Sequence, residues 1–289
     1  MTEIDQSRPQ LAVDLALFTM LTEADLADSR VRELVSPEIK PDSELGLSLF
    51  VVTMQGKTGR KLPGALVEGH EQIADAGYRI LREVLGIEVS IRLREIGTFD
   101  KVDRDPNSRV ISIASWGYIR FLDLVKMLGG RDQVGLELVN SSQVINQFAA
   151  EQGGLEEFDG VSRFGFRYAP TPSRGHVKQL TSDLGALILE QDHDQMVFYA
   201  WRKLRYAFGG KLDPFRYLGV KALGEEFRLS DLQEFQDVAC GIKTHRDQFR
   251  RQMLNPSSFI VETKKTDSSR QGKPAALYTL SAPLEAGNE

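Results

Sequence analysis

The stretch GALVEGHEQIADAGYRILREVLGI, residues 64–87, has the frame of a metal-binding helix with most of its ligands replaced. A glycine-rich turn comes first, apolar residues at three- and four-residue spacing then predict a helix, and Gly86 ends it. Such a frame usually holds a row of carboxylates for a divalent cation. Here Glu71 and Glu83 are present, and apolar residues stand where further acids are expected.

The basic C-terminal end is the second candidate for chemistry. Between Lys243 and Lys273 the chain has eight basic and three acidic residues, a charge of +5, so the remainder carries -10 if the whole chain carries -5. An acidic body with a basic end is typical of a polyanion-binding module attached to something else. Charge alone leaves a solvated charged face as the alternative.

Several apolar stretches predict the strands that surround the first candidate. Residues 11–20 and 47–54 predict two strands before it. Residues 87–99 and 109–124 predict two more after it, around a polar turn. Residues 126–175 are predicted to hold two helices and a strand.

The last third of the chain predicts a helix, a short turn, a basic helix and a hairpin. Residues 228–240 and 244–254 predict the helices, and Thr244 with Asp247 has the spacing of a capping box at the start of the second. Residues 258–265 and 274–280 then form two β-prone runs joined by a polar segment. This is the order of a winged helix-turn-helix.

The basic helix divides into two faces. Phe249 and Met253 are four residues apart and are predicted to pack inward. Arginine and glutamine near the start of such a helix reach guanine and adenine edges, and other cations neutralise phosphates. A charged protein-binding hairpin stays open as the alternative. The candidate DNA-binding residues are Thr244, His245, Arg246, Gln248, Arg250, Arg251, Lys264, Lys265, Arg270 and Lys273.

Residues 62–87 resemble the Nudix box, the signature of hydrolases that act on a nucleoside diphosphate linked to another moiety. LPGALVEG matches the loop, and Glu71, Arg79 and the final Gly-Ile match the box. The resemblance implies that Glu71 and Arg79 help to hold the loop and the helix together.

The three carboxylates that this family places at i, i+3 and i+4 correspond to Ile80, Glu83 and Val84. One carboxylate beside two apolar side chains is a poor magnesium site. Without the metal, the phosphoanhydride loses its charge neutralisation and the water loses its activation. We therefore predict no metal site, no catalytic residue and no hydrolase activity.

A Nudix-like domain followed by a winged helix resembles the Nudix-related transcriptional regulators of the NrtR family, which control NAD metabolism. The motifs that carry this resemblance are RDPNSRVISIAS, AWRKLRY, LSDLQEF, HRDQFRRQML and GKPAALYTL. It implies an α+β chain with an N-terminal Nudix-like α/β/α sandwich on a mixed sheet and a C-terminal winged helix-turn-helix. The expected domains are a Nudix-like effector-binding domain (10–175), a connecting, dimer-proximal helical region (176–215) and a winged helix DNA-binding domain (216–283).

The resemblance also implies a function. We expect a homodimeric DNA-binding transcriptional regulator, a repressor, that binds palindromic double-stranded operator DNA. It would require no cofactor and would sense a nucleotide effector: ADP-ribose, NAD or ATP. By charge and by position in the motif, the candidate effector-binding residues are Arg60, Lys61, Glu71, Arg79, Arg82, Glu83, Phe99, Asp105 and Arg109. The alternatives are an ADP-ribose pyrophosphatase with an attached DNA-binding domain, and a module that docks onto protein or RNA.

Other sequence features restrict the class of protein. A single cysteine, Cys240, excludes an intramolecular disulfide framework. No signal peptide is visible, and no apolar stretch reaches the ~20 residues that a bilayer span needs, so we expect a cytoplasmic protein with no membrane partner. His193 is expected to be an ordinary polar residue at a helix start.

Overall fold

A computed structural model of the chain places the residues in two units, Met1–Lys203 and Leu204–Glu289. The residues that the structure describes are 8–35, 46–88, 91–105, 108–128, 135–151, 189–209, 223–255, 259–269 and 273–281. The three expected domains remain a prediction, since much of the expected connecting region lies outside the described residues.

A mixed sheet of seven strands, counted over the described residues, forms the frame of the first unit. β1 (Gln10–Leu21) lies at its centre. The other strands are β2 (Ser48–Gln55), β3 (Arg60–Lys61), β4 (Gly64–Leu66), β5 (Arg94–Phe99), β6 (Val110–Tyr118) and β7 (Leu136–Asn140). β1 pairs in parallel with β6 and antiparallel with β2 and β4. The predicted strand at 87–99 is thus confirmed in its second half, which is β5.

The helices of the first unit correct the prediction of a strand through residues 109–124. They are α1 (Glu23–Leu26), α2 (Ser29–Arg32), α3 (Ile73–Arg79), α4 (Phe121–Leu128), α5 (Ser141–Glu151) and α6 (His193–Gly209), which begins in this unit and ends beyond Lys203. The prediction of one strand through 109–124 is wrong in its last part, because the chain leaves β6 at Tyr118 and then forms α4. The apolar run continues there, but its spacing changes from two to three and four residues, and Asp123 accepts a hydrogen bond from Arg120 Nε at 2.6 Å.

In residues 126–175, the described part shows β7 and α5 beyond the end of α4. Residues 129–134 and 152–175 lie outside the described residues. Among the described residues, no helix combines the length and the apolar character that a bilayer span requires.

β1 has two different faces because successive side chains of a strand point to opposite sides of the sheet. Val13, Leu15 and Leu17 are buried in one core cluster with the helix of the 64–87 stretch, which is α3 continued by a π-helical turn over Ile80–Val84. Asp14 therefore points to the opposite face of the sheet, and it is also buried.

The second unit has the predicted order of elements. They are β8 (Phe227–Arg228), α7 (Leu229–Cys240), α8 (Arg246–Met253), β9 (Ile260–Asp267) and β10 (Ala275–Leu280). The strands form one sheet in the order β8-β10-β9. α7 ends at Gly241, whose φ of 59° lies in the left-handed region that favours glycine. Phe249 and Met253 are buried against Phe227 and Tyr278, which confirms the predicted inner face of α8.

The start of β4 leaves no room for a side chain. Gly64 pairs with Asp14, and a Cβ added to Gly64 would overlap the Asp14 carboxylate and come within 2.9 Å of the backbone oxygen of Val13. Gly64→Ala is therefore expected to lower the free energy of unfolding by roughly 1–3 kcal/mol, measured by denaturant unfolding. Gly69→Ala is the control, because a Cβ there meets nothing within 4 Å. Equal stability of the two variants would contradict the prediction.

Candidate functional site

Glu71 and Arg79 join the glycine-rich turn to α3. Two hydrogen bonds connect them, from Arg79 Nη2 to Glu71 Oε1 at 2.6 Å and from Arg79 Nε to Glu71 Oε2 at 3.0 Å. Arg79 Nη2 also donates to the backbone oxygen of Leu66 at 2.8 Å, and the Glu68 backbone N–H donates to Glu71. The Arg79 guanidinium, with help from the Glu68 N–H, lowers the pKa of the Glu71 carboxyl to about 2. The pair thus holds the loop and the helix together, as the sequence suggested.

The positions where carboxylates would bind magnesium do not fit a magnesium site. Ile80 has an exposed fraction of 0% and belongs to the core cluster, and Val84 packs against the same cluster. Glu83 is exposed and is the single carboxylate of the three. Among the described residues, no group of three or more His, Cys, Asp or Glu side chains is placed to hold a metal ion.

Arg60 and Lys61 lie on β3, at the end of a hairpin that returns from β2. The Arg60 guanidinium forms an ion pair with Glu137 of β7. Arg82, in contrast, is exposed on the π-helical turn. Arg60, one of the predicted effector-binding cations, is therefore already bound to a carboxylate of the protein.

Phe99, Asp105 and Arg109 lie in or near the connection between β5 and β6. The ring of Phe99 lies 6.3 Å, between centroids, from the ring of Tyr199 on α6. Asp105 accepts a hydrogen bond from Gln191 Nε2 at 3.3 Å, and Arg109 donates to the backbone oxygen of Lys101 at 3.1 Å. The structure thus brings Phe99 and Asp105 to α6 and the turn before it, and Arg109 to its own loop.

A buried ionic cluster, defined here as Asp14, Arg104, Ser112, Asp192 and His193, lies on the second face of the sheet. Arg104, with a side-chain exposure of 2%, donates to Asp192 Oδ1 from Nη2 at 2.8 Å and from Nε at 3.2 Å. It also forms an ion pair with Asp14 Oδ2 at 3.5 Å, and Ser112 Oγ donates to the same oxygen at 2.5 Å. Two carboxylates therefore surround one guanidinium out of contact with water.

His193 corrects the expectation of an ordinary polar residue at a helix start. It does begin α6, but it is 3% exposed. The backbone N–H of Leu62 donates to Nδ1 at 3.0 Å, so the neutral ring carries its proton on Nε2, which lies 3.8 Å from Asp14 Oδ1. Burial lowers the pKa of His193, and the charge of Arg104 lowers it further, against the opposing effect of Asp14 and Asp192.

Sequence reasoning missed four members of the buried ionic cluster, although one signal was present. Asp14 stands in the apolar run LAVDLALF, and a charged residue on a strand that is otherwise apolar needs a buried partner. The partners themselves, Arg104 and Asp192, come from distant loops. β4 connects this cluster to the 64–87 stretch, since Gly64 pairs with Asp14 and Leu66 accepts from Arg79.

On the second unit, α8 presents a cationic outer face. Its predicted contact residues are exposed, namely His245, Arg246, Gln248, Arg250 and Arg251. The helix rests on the fully buried ring of Phe249, which fixes the rotation of α8 about its axis. This arrangement can place guanidinium and amide groups against an anionic groove.

The prediction that Thr244 caps α8 with Asp247 is wrong. His245 is the N-cap residue, and no side chain caps the helix. Thr244 instead donates to Asp237 of α7, from its hydroxyl at 2.6 Å and from its backbone N–H at 3.1 Å, and its backbone oxygen accepts from Gln233 at 2.6 Å. Burial raises the pKa of Asp237 despite these hydrogen bonds. Thr244 therefore holds the turn between α7 and α8.

The wing is the β9–β10 hairpin. Lys264, Lys265 and Lys273 are exposed on it, whereas Arg270 lies outside the described residues. Lys265 Nζ forms an ion pair with Glu226 at 2.9 Å. That contact reduces the charge that Lys265 can offer to a polyanion.

Arg228 holds the wing near its tip. Its guanidinium is 2.6 Å from Asp267 Oδ2 and donates to Ser269 Oγ at 3.1 Å. Ser269 also donates its backbone N–H to Asp267 at 2.7 Å, and this bond, with those from the Ser269 hydroxyl and from Arg228, lowers the pKa of Asp267. The negative charge of Asp267, on the same strand as Lys264 and Lys265, is thus paired with Arg228 within the protein.

Comparison with known proteins gives one domain assignment and one fold assignment. Residues 219–280 match the family model of the NrtR DNA-binding winged helix domain. No curated protein matches the chain significantly. The structure is similar to that of Shewanella oneidensis NrtR complexed with a 27mer DNA, at 16% identity and a TM-score of 0.56, over 94% of this chain and 93% of that chain.

Two further solved structures are similar to this chain over most of its length. A second structure of Shewanella oneidensis NrtR gives 17% identity and a TM-score of 0.55, over 94% of each chain. A MutT/nudix family protein from Enterococcus faecalis gives 18% identity and a TM-score of 0.56, over 95% of this chain and 88% of that chain. The predicted fold class is therefore confirmed: a Nudix-like domain on a mixed sheet followed by a winged helix domain.

His193 makes stability depend on pH. Because its pKa lies below the ordinary value of 6.5, the unfolded chain binds a proton that the folded chain does not, so the free energy of unfolding falls as the pH drops below that value. His193→Asn keeps an acceptor near Leu62 but does not titrate. We expect urea unfolding between pH 7 and pH 5 to show a shallower pH dependence for this variant than for the wild type.

The control for this prediction is His70→Asn, because the His70 side chain is 84% exposed. The pH dependence of stability should be steeper in this variant than in His193→Asn. The same pH dependence in wild type and His193→Asn would show that His193 does not carry the effect.

Proposed function

We propose that this chain, whose resemblance to the NrtR family is supported by its winged helix domain and its fold, is a DNA-binding transcriptional regulator that senses a nucleotide without hydrolysing it. The observation that carries the proposal is the exposed cationic face of α8, in a domain that matches the NrtR DNA-binding winged helix. The similar protein from Shewanella oneidensis was solved with a 27mer DNA.

The proposed contacts with DNA use the exposed face of α8. Arg246, Gln248 and Arg250 reach base edges or phosphates of the major groove in this proposal, and their exposure supports it. The wing lysines neutralise phosphates alongside. The regulator acts as a homodimer on a palindromic operator and represses genes of NAD metabolism.

The Nudix-like unit is the sensor. Its box keeps the Glu71–Arg79 pair that holds the loop. Ile80, which is buried in the core, stands at a position where a carboxylate would bind a cation. A nucleotide with a pyrophosphate, such as ADP-ribose, NAD or ATP, is therefore bound and not consumed. The ligand changes DNA affinity only as far as it prefers one conformation of the protein.

An ADP-ribose pyrophosphatase is the second candidate function, because Glu71, Arg79 and Glu83 of the box remain. A hydrolase would need magnesium held by Glu83 without the two other carboxylates, which is a weak site. This candidate predicts AMP as a product, whereas the sensor predicts none.

The DNA contact of Arg250 can be measured by its dependence on salt. Arg250→Ala should make the slope of log K against log salt concentration shallower by ~1 for a mixed-sequence duplex, because one phosphate contact releases about one counterion. Lys265→Ala should have a smaller effect, since Glu226 already pairs with Lys265. Arg92→Ala, an exposed arginine of the first unit, is the control. Fluorescence anisotropy with an unchanged slope for Arg250→Ala would argue against this contact.

The sensor is tested on a duplex selected from random DNA. We expect at least one of ADP-ribose, NAD and ATP, at millimolar concentration with magnesium, to release the protein from the duplex in a gel-shift assay. AMP measured in the same mixtures should stay at the level of a protein-free sample. Binding that all three nucleotides leave unchanged would reject the sensor, and rapid production of AMP from ADP-ribose would favour the pyrophosphatase.

A further inference from the structure

The hairpin between β2 and β3, residues 55–61, encloses a carboxylate of another segment. Glu190 lies just before α6, and its Oε1 accepts hydrogen bonds from the Thr58 backbone N–H, from the Thr58 hydroxyl at 3.0 Å and from the Gly59 backbone N–H at 2.7 Å. Three donors thus converge on one oxygen. Successive backbone N–H groups that converge in this way form a concave binding site for anions.

The turn of the hairpin leaves room for a group of the size of a carboxylate. Its turn is closed by the Gly56 N–H, which donates to the Gly59 oxygen at 2.6 Å. A Cβ added to Gly56 would overlap the carboxyl group of Glu190. Only glycine at position 56 therefore leaves space for an anionic group between the two sides of the turn.

The electrostatics of the hairpin favour a negative charge. Burial raises the pKa of Glu190, but the hydrogen bonds from Thr58 and Gly59 and the charge of Lys61 outweigh it, so the pKa stays below its ordinary value. Lys57 is exposed on the same turn. The hairpin thus stabilises an anion with backbone N–H groups and with the charge of Lys61 together.

Further contacts connect the hairpin and β3 to the start of α6. The Glu190 N–H donates to the Arg60 oxygen at 2.7 Å, Leu189 forms a parallel bridge with Arg60, and the Leu62 N–H donates to His193. α6 then continues from His193 to Gly209, past the end of the first unit at Lys203. Glu190 therefore lies in the segment that leads into α6.

We propose that residues 56–61 form a phosphoryl-binding site, and that the carboxylate of Glu190 and a phosphoryl group of the nucleotide occupy it in alternation. This inference rests on the proposed nucleotide sensing and adds where a phosphoryl group binds and what it displaces. A phosphoryl group presents anionic acceptor oxygens to the same three donors and leaves Glu190 outside the hairpin. Displacement releases one of the contacts that hold the start of α6.

The test measures binding of inorganic pyrophosphate to the full chain by isothermal titration calorimetry. Glu190→Ala removes the competing carboxylate and should raise the affinity for pyrophosphate about tenfold, which corresponds to ~1.4 kcal/mol. Adding Gly56→Ala to this variant should cancel the increase, because the new methyl group fills the site. Glu95→Gln, which removes a carboxylate from an exposed position on β5, is the charge-matched control and should change the affinity less than twofold.

Circular dichroism and thermal unfolding confirm that each variant is folded. If folded Glu190→Ala binds pyrophosphate no better than the wild type, or if the double variant keeps the increase, Glu190 only fastens the loop and the inference is overturned. Adenosine, which has no phosphoryl group, should bind wild type and Glu190→Ala equally, and a difference would also overturn it. Because DNA takes no part in these titrations, their failure is distinguishable from a failure of the proposed regulator to bind DNA.

Discussion

The guanidinium of Arg104 is almost completely removed from water, and a cation in that position must be neutralised by partners inside the protein. Its partners are Asp192, just before α6, and Asp14, in the middle of β1. The connection between β5 and β6, the central strand and the start of α6 are therefore held at one point. His193, neutral and hydrogen-bonded to Leu62, adds β3–β4 to the same point. Loss of Arg104 would leave two buried carboxylates without their cation, so these segments depend on one another.

β1 contributes both to the buried ionic cluster and to the apolar packing of α3 and the π-helical turn that follows it. Its alternate side chains serve two faces: Val13 and Leu15 pack with Ile80, and Asp14 joins the buried ionic cluster. Burial of the isoleucine at position 80 stabilises the folded state by the free energy of burying one aliphatic side chain, ~1.5–3 kcal/mol. A carboxylate there would have to reach a cation instead. Stability and metal binding are thus in competition at this position, and this chain has the residue that favours stability.

The second unit separates structural charges from exposed ones. Arg228, Asp267 and Asp237 are used within the protein, where they hold the wing and the turn before α8. The cations of α8, in contrast, are exposed above a buried Phe249. Rigid support beneath an exposed basic face reduces the ordering that binding to a polyanion would otherwise require. Lys265 is intermediate, because it is exposed and yet paired with Glu226.

Periodicity and local motifs were enough to predict β1, the box helix, the winged helix order and the inward side of α8, because each depends on residues close in sequence. The loss of two box carboxylates was also readable directly at Ile80 and Val84. The tertiary structure alone decided that Arg104 meets Asp14 and Asp192, that Thr244 bonds to Asp237 instead of capping α8, and that Glu190 enters the hairpin. Those contacts join residues that are 7 to 132 positions apart in sequence, from Thr244–Asp237 to Thr58–Glu190. Their partners are chosen by sheet register and burial, and no local pattern records either.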